Sequence, residues 1–377
     1  MRIGVSSMKL HQIWNQLVVS LASAMLLSSV AFASQTETVY TMSNDTQSNE
    51  VLIFERRGSG NLHHIDSVAT GGQGTGGSLG NQSGVVLDPS DRWLFAANAG
   101  NGTITSFRVL EEGLTRIDTD PSGGFSPISI AVFGTWVFVL NEGDPNDPGN
   151  PDNISGFRLN LDGTLSAIPD STRPLSAPQT DPAQISFNKE GTVLFVTEKA
   201  TNMLTTYTVD ADGVPSHPLS RPSAIPTPFG FQFGDRDVVY VSEANQGGPG
   251  AVVSYRVNRE TGEVSGAIGF LDAENATCWV VLSNDQTIGY ASNTGSASIS
   301  PFSIAFDGTI EPLLSNGRSI ETGNGPLDIV LTQDGENLYS LDSGDNTITA
   351  FRVRRNGNLV QLGTVDVPPG ANGLAAR

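Results

Sequence analysis

Residues 84–109, GVVLDPSDRWLFAANAGNGTITSFRV, contain three short runs rich in aliphatic, β-branched and aromatic residues. These runs, at 84–87, 93–97 and 103–109, have the composition of β-strands. A proline-containing turn separates the first two runs, and a turn rich in Asn and Gly separates the second and third. A further short run around 114–117 follows a glycine. The stretch therefore predicts a unit of four antiparallel strands joined by tight turns.

The same unit recurs along the chain with a period of roughly 50 residues. One aromatic residue marks its second strand and another marks its third. The second-strand aromatics are Tyr40, Phe95, Phe138, Phe195, Tyr240, Tyr290 and Tyr339. The third-strand aromatics are Phe54, Phe107, Phe157, Tyr207, Tyr255, Phe302 and Phe351. The two sets interleave without exception, which predicts seven copies of the unit; two β-sandwiches in tandem would not produce this pattern.

Six of the units have a first strand directly before the second. These first strands are predicted at 84–87, 128–132, 183–187, 229–233, 278–282 and 327–331. The first unit begins abruptly at Val39, and the missing strand is predicted near the other end of the chain, at 371–376. Pairing of this strand with the N-terminal unit would close a ring and remove exposed sheet edges. We therefore predict an all-β fold, a seven-bladed β-propeller with four antiparallel strands per blade, closed by the C-terminal strand.

Composition agrees with a large globular β-domain. The 377 residues include 42 Gly and 21 Pro, and only 16% are charged, which suits many turns and few helices. The formal net charge of −19 disfavours binding to nucleic acid or to anionic membranes. Cys278 is the only cysteine, so no internal disulfide can form and packing must stabilise the fold.

Residues 1–33 have the pattern of a secretory signal. Arg2 and Lys9 are basic, the run 17–31 is apolar apart from Ser, and Ala-Phe-Ala precedes Ser34. We expect cleavage before Ser34, one propeller domain at 34–377, and a soluble, monomeric protein that is secreted or periplasmic and does not bind a membrane.

The blade pattern resembles the seven-bladed lactonase family. The resemblance is clearest in WLFAANAGNGTITSFRV at 93–109 and LYSLDSGDNTITAFRVRRNGNL at 338–359, and it spans about 39–374. That family includes enzymes that hydrolyse 6-phosphogluconolactone and relatives that cyclise carboxymuconate to a lactone. The resemblance implies lactone chemistry at the mouth of the central channel.

This chain departs from the enzymes of that family at the start of its first strands. Prolines open four of them, but no His or Arg follows, and no Lys or Arg cluster maps to one face. A phosphate clamp is therefore not expected. The prolines are Pro127, Pro182, Pro228 and Pro326.

An oxygen-bearing residue lies three positions after each second-strand aromatic. These residues are Ser43, Asn98, Asn141, Glu198, Glu243, Asn293 and Asp342. In a propeller these positions and the first-strand residues Gln184 and Asp328 would surround the channel mouth. Such oxygens suit Ca²⁺ or another divalent cation. The competing interpretation is structural, because Asn and Asp often begin tight turns through bonds to the backbone.

These positions lead to a specific hypothesis, by analogy with the metal site of six-bladed gluconolactonases. Glu198, Asn98, Asn141 and Asp342 would hold a metal that activates water. Glu243 or Asp328 would act as general base, and Gln184 and Asn293 would bind substrate. No organic cofactor is expected.

The leading functional prediction is an exported hydrolase of a small, unphosphorylated lactone. One alternative is a non-catalytic propeller that binds a protein or carbohydrate partner through its loop face. Another is a carboxymuconate-type cyclase that forms a lactone, although this chain lacks the basic residues that would bind a dicarboxylate substrate.

Overall fold

The computed structural model of the protein describes Met1 and residues 37–58, 61–314 and 319–377. The predicted secretory signal at 1–33 lies outside the described residues, apart from Met1. Glu37–Arg377 forms one compact unit. Within the described part of the chain, no helix has the length and apolar character needed to cross a membrane.

The described residues of this unit form thirty strands. The first three blades use β1 (Thr38–Met42), β2 (Glu50–Arg57), β3 (Asn61–Ala69), β4 (Val85–Leu87), β5 (Trp93–Asn98), β6 (Thr103–Leu110), β7 (Gly113–Pro121), β8 (Ser126–Phe133), β9 (Trp136–Glu142), β10 (Asn153–Leu159), β11 (Leu165–Ala167) and β12 (Arg173–Pro174). The next two blades use β13 (Pro182–Phe187), β14 (Val193–Glu198), β15 (Met203–Thr208), β16 (Leu219–Pro222), β17 (Pro228–Phe233), β18 (Val238–Glu243), β19 (Pro249–Arg256) and β20 (Gly269–Asn275).

The last two blades and the closing strand complete the set. They use β21 (Thr277–Leu282), β22 (Ile288–Asn293), β23 (Ser298–Ile304), β24 (Ile310–Pro312), β25 (Ile320–Glu321), β26 (Pro326–Leu331), β27 (Asn337–Asp342), β28 (Thr347–Val353), β29 (Leu359–Asp366) and β30 (Asn372–Ala376). Two single-turn 3-10 helices, Asn245–Gly247 and Thr294–Ser296, lie between the second and third strands of the fifth and sixth blades.

The strands form seven antiparallel sheets, as the sequence predicts. In blades two to seven the strands pair in chain order from the inner strand outward, with β12 and β25 as short additions to the outer edge. Blade one has the order β30, β1, β2, β3, so its inner strand comes from the C-terminus. Val39 pairs with Ala376 and Tyr40 with Ala375. The ring closure predicted from the displaced strand is confirmed.

The hydrophobic core lies between neighbouring blades. All fourteen marker aromatics are buried, with 5% exposure or less. Each core cluster draws residues from adjacent blades; for example, the Phe195 ring of blade four lies 4.7 Å from the Phe231 ring of blade five. The aromatic repeat therefore reflects the packing that holds one blade to the next.

The inner strands are also joined by side chains that accept backbone N–H groups. Gln184 Oε1 accepts the Phe231 N–H at 2.6 Å, and Asp328 Oδ2 accepts the Leu374 N–H at 3.1 Å. Both acceptors follow an irregularity in strand register just after Pro182 or Pro326. The structure thus places the predicted substrate ligand Gln184 and the predicted base Asp328 in bonds between blades, buried to 4% and 3% exposure.

The connection between β3 and β4 crosses the propeller axis. Asn81 accepts a hydrogen bond from the Trp279 indole at 2.9 Å through its carbonyl and from the Asn372 amide at 2.9 Å through its side chain. The Gln82 N–H donates to the Ala183 carbonyl at 3.1 Å. These partners belong to blades six, one and four, and only a segment on the axis can reach them all. We call residues 80–83 the plug.

A glycine of blade five leaves room for this plug. A Cβ atom on Gly230 would come within 2.1 Å of Gln82 Oε1, so any larger residue would collide with the plug. The plug partners lie at the beginnings of the inner strands. The plug therefore closes the central channel at the face that carries the connections between blades. The mouth is the surface of this face around the plug.

Candidate functional site

Glu198 is a buried structural carboxylate. Its Oε1 accepts bonds from the Ser176 N–H at 3.1 Å and the Thr205 hydroxyl at 2.5 Å, and its Oε2 accepts one from the Thr201 hydroxyl at 2.7 Å. A further bond comes from the Ser176 hydroxyl. Ser176 belongs to the connection from blade three, so this carboxylate fastens that connection to blade four.

Glu243 and Asp342 repeat this arrangement in two other blades. Glu243 accepts the Tyr255 hydroxyl and the Ile225 N–H, and Asp342 accepts the Ser340 hydroxyl at 2.7 Å. Both are fully buried. Burial, partly offset by these bonds, raises the pKa of Glu243 to about 7 and that of Asp342 to about 6. Neither carboxyl group reaches the channel mouth.

The three asparagines at equivalent positions also bond within their own blades. Asn98 donates to the hydroxyl groups of Thr103 and Thr105 at 3.1 and 2.9 Å. Asn293 donates to Ser298 and Ser300 at 3.1 and 2.9 Å, and Asn141 donates to Ser155 at 3.1 Å. Their amides hold the end of the second strand against the third. These positions are therefore structural, but through bonds to hydroxyl side chains and not through the bonds to the turn backbone that the sequence suggested.

The predicted metal ligands do not fit one metal ion. Glu198, Asn98, Asn141 and Asp342 belong to four blades. The side-chain oxygens of Glu198, Asn98 and Asp342 accept bonds from protein donors, whereas Asn141 Oδ1 is buried without one. Among the described residues, no group of three or more His, Cys, Asp or Glu side chains could hold a metal. The predicted base Glu243 and the predicted substrate ligand Asn293 are likewise enclosed.

A second ring of seven residues lies one position further along the chain, at or just after the end of each second strand. Its members are Asn44, Ala99, Glu142, Lys199, Ala244, Thr294 and Ser343. Successive side chains of an extended strand point to opposite sides, so these residues have different surroundings from the ones that precede them. Two members of this ring are charged, Glu142 and Lys199, and they come from adjacent blades.

Lys199 points into the mouth. Its ammonium group donates to the Gly80 carbonyl of the plug at 2.6 Å and lies 4.9 Å from the centre of the Phe229 ring. It also forms an ion pair with Asp181 at 2.9 Å. The Lys199 side chain is only 9% exposed, whereas Asp181 is 55% exposed. The Lys199 ammonium group is therefore held against the plug, and its partner Asp181 lies nearer the solvent.

Glu142 faces this ion pair from blade three. Partial burial raises the pKa of its carboxyl group; Lys199 opposes this effect, and Asp181 and Asp152 add to it. Asp152 is itself buried and accepts the Gly143 N–H at 2.6 Å and the Thr180 hydroxyl at 2.7 Å. These bonds fix the loop after Glu142 to the residue before Asp181, which keeps the three charged groups together.

The face around the mouth is strongly acidic. Lys199 is the only Lys or Arg in the fourteen connections of this face, which carry six Asp. These connections are 43–49, 70–84, 99–102, 122–125, 143–152, 175–181, 199–202, 223–227, 244–248, 276, 294–297, 322–325, 343–346 and 367–371. A multiply charged anion would meet one cation and an unfavourable field.

A groove of about 730 Å³ lies on the opposite face, between blades four and five. Its arginines are bound to the protein: Arg221 donates to the Val264 carbonyl at 2.8 Å, and Arg259 pairs with Asp237 at 2.8 Å. This groove shares no residue with the mouth. The group of Glu142, Asp181 and Lys199 remains the candidate site.

Sequence reasoning missed all three of these residues. Glu142 and Lys199 each follow a residue that was singled out, and Asp181 precedes one of the first-strand prolines. A usable signal was the opposite charge of Glu142 and Lys199 at equivalent positions of consecutive blades.

Comparison with known proteins agrees with the architecture. The family model described as "Lactonase, 7-bladed beta-propeller" matches residues 29–147 and 152–281. None of the curated proteins matches the chain. A candidate 6-phosphogluconolactonase from Bacteroides uniformis superposes with a TM-score of 0.74 at 18% identity, covering 91% of this chain and 99% of that one. The periplasmic gluconolactonase of Pseudomonas aeruginosa gives 0.71 at 15% identity, covering 90% and 98%. At such identities these structures show a shared fold.

Proposed function

The chain belongs to the seven-bladed β-propeller lactonase family, and from this premise we propose that it hydrolyses a small, unphosphorylated lactone at the mouth of the channel. The observation that carries the proposal is the group of Glu142, Asp181 and Lys199. It places a partly buried carboxyl group near a fixed ammonium group on the face that the plug closes.

Each charged group has a role in ring opening. Glu142 would take a proton from water as the water oxygen attacks the lactone carbonyl carbon. The Lys199 ammonium group would stabilise the negative charge that develops on the carbonyl oxygen. The ring C–O bond then breaks, and Glu142 returns the proton to the leaving alkoxide oxygen. Asp181 keeps the ammonium group in place. The products are one hydroxy acid and the unchanged enzyme.

The charge of the face supports a substrate without phosphate. Lys199 is already paired with Asp181, and the other charged groups in the connections around the mouth are Asp. A neutral lactone avoids the repulsion that a phosphate dianion would meet there. The same shortage of cations disfavours the cyclase alternative, whose substrate is a dicarboxylate.

We also propose where the protein is located and what it contains. We propose export, on the pattern of residues 1–33; a periplasmic relative shares the fold. We propose a monomer without an organic cofactor. No metal ion takes part in the proposed reaction, because both oxygens of Glu198 and of Asp342 accept bonds from protein donors, and Asn141 Oδ1, which has no donor, belongs to a different blade.

Glu142→Gln should reduce lactone hydrolysis by about a hundredfold or more, since general-base catalysis contributes on the order of 10²–10⁴ in rate. Hydrolysis of neutral and phosphorylated lactones should be followed by acid release at constant pH. The matched control is Asp147→Asn, an exposed acid on the loop that follows Glu142. Undiminished hydrolysis by the Glu142 variant would remove this residue from the mechanism.

The second candidate function is a non-catalytic propeller that binds a carbohydrate or protein partner. An exposed aromatic side chain favours it. Phe125 precedes β8 on the face that carries the mouth and is 46% exposed. An exposed aromatic ring could stack on a carbohydrate or a protein side chain. Absence of hydrolysis across the lactone panel, with binding to an oligosaccharide array that Phe125→Ala abolishes, would favour a binding module.

A further inference from the structure

The seam between the first and last blades contains a buried carboxyl group. Glu37 directly precedes β1 and is 8% exposed. Its carbonyl accepts the Arg56 N–H at 2.9 Å, and its Oε1 lies 2.5 Å from Arg56 Nη2. Arg56 belongs to β2, so Oε1 of the Glu37 carboxyl group is bound within blade one.

The other oxygen of this carboxyl group faces blade seven. Asp334 lies in the turn between β26 and β27 and is held by Arg56 Nη2 at 3.3 Å, the Thr332 hydroxyl at 2.6 Å and the Glu336 N–H at 2.8 Å. Glu37 Oε2 is buried and receives no N–H or hydroxyl bond from the described residues. Arg56 Nη2 contacts both carboxyl groups, Glu37 Oε1 at 2.5 Å and Asp334 Oδ2 at 3.3 Å, and the two groups lie within hydrogen-bonding reach of each other.

Two ionised carboxylates are both acceptors, so this contact is stable only if one of them carries a proton. We propose that Glu37 is protonated at neutral pH and donates its O–H to Asp334, so that one bound proton latches the first blade to the last. Arg56 then balances the single negative charge of the pair. The proton is a component of ring closure, in addition to the pairing of β1 with β30.

The surroundings of the pair are consistent with this assignment. Burial and the bond to Asp334 raise the pKa of Glu37 to about 8, while Arg56 opposes and Glu336 adds to the rise. Burial alone would raise the pKa of Asp334. The hydrogen bonds that Asp334 accepts from Glu37 and Thr332 outweigh burial, so the pKa of Asp334 is lowered. Tyr339 on β27 is a further titratable neighbour: burial raises the pKa of its hydroxyl group, Glu37 and Asp334 add to the rise, and Arg56 and Arg352 oppose it.

The latch has a defined pH dependence. Below the ordinary Glu pKa of 4.5, the folded and unfolded chains both hold the proton. Between 4.5 and about 8 only the folded chain holds it, so each pH unit lowers the folding equilibrium constant by up to tenfold. Above about 8 the proton is lost from both states, and the two carboxylates repel each other across the seam.

Glu37→Gln tests the latch, because its amide N–H can replace the carboxyl proton at every pH. Thermal unfolding of wild type and variant should be compared between pH 5 and pH 9. We expect similar unfolding temperatures at pH 5 and a more stable variant at pH 9, with the ratio of folding equilibrium constants changing on the order of a thousandfold. Glu55→Gln, on the strand next to Thr38, is the matched control and should show no such trend.

A pH-independent difference between Glu37→Gln and wild type would overturn the proposal, since a purely structural role predicts a constant loss. Infrared spectroscopy gives a second measurement that does not depend on the variant's stability. A component of the protonated carboxyl band at pH 7 that Glu55→Gln keeps but Glu37→Gln and Asp334→Asn both lose supports the latch. Persistence of that band unchanged in Asp334→Asn and Glu37→Gln would contradict it.

Discussion

Trp279→Ala should lower the free energy of unfolding by about 3–5 kcal/mol, the usual cost of replacing a buried Trp or Phe by Ala. Trp279 is 2% exposed and lies on the inner strand of blade six. Its ring lies 5.0 Å from that of Phe229 on blade five, and its indole N–H donates to the Asn81 carbonyl at 2.9 Å. The substitution would open a cavity beside the axis and remove the indole bond between blade six and the plug.

Urea unfolding followed by circular dichroism would measure this loss. Trp279→Phe is the matched control, because it keeps an aromatic ring against Phe229 but leaves the Asn81 carbonyl without its donor. That variant should lose about 1–3 kcal/mol. Hydrogen exchange should show faster exchange of the Gln82 N–H in Trp279→Ala. If Trp279→Ala lowers the free energy of unfolding by less than about 1 kcal/mol, the plug is held in place without this contact.

Glu198→Ala should destabilise the protein by about 3 kcal/mol or more, because several buried donors lose their acceptor at once. The donors are the Ser176 and Thr201 hydroxyls, the Ser176 N–H and the Thr205 hydroxyl. A chelator should leave the thermal unfolding of wild type unchanged, since these bonds already occupy both carboxylate oxygens.

Glu111→Ala, an exposed acid in a turn on the other face, is the control for loss of charge and should change stability little. The metal hypothesis predicts a different result: the chelator would lower the unfolding temperature of wild type and have no effect on Glu198→Ala. Thermal unfolding of both proteins with and without chelator distinguishes the two interpretations.

The fold could be predicted because its signals are local and repeated. Each blade needs one aromatic on its second strand and one on its third to fill the space against its neighbour, and each needs turns that glycine permits. The inner strands were predicted close to their observed limits; the run 128–132, for example, lies inside Ser126–Phe133. The C-terminal strand was predictable because one blade lacked its own.

The site could not be predicted to the same degree because it depends on one-residue differences. Glu198 and Lys199 are neighbours in sequence, but one side chain is fully buried against Ser176 and the other lies on the plug. Strand alternation sends them to opposite sides, and the exact end of the second strand decides which side faces the mouth. Oxygen-bearing residues alone do not reveal that difference.

By itself the sequence determined the number of blades, the order of their strands and the closure of the ring, because those follow from periodic packing between neighbours. Only the tertiary structure decided which polar groups meet at the axis. The bond between Asn372 and Asn81 joins residues 291 positions apart, and the Glu37–Asp334 pair joins the two ends of the ring. No local pattern encodes such contacts, because they arise only when the circle of blades brings distant segments together.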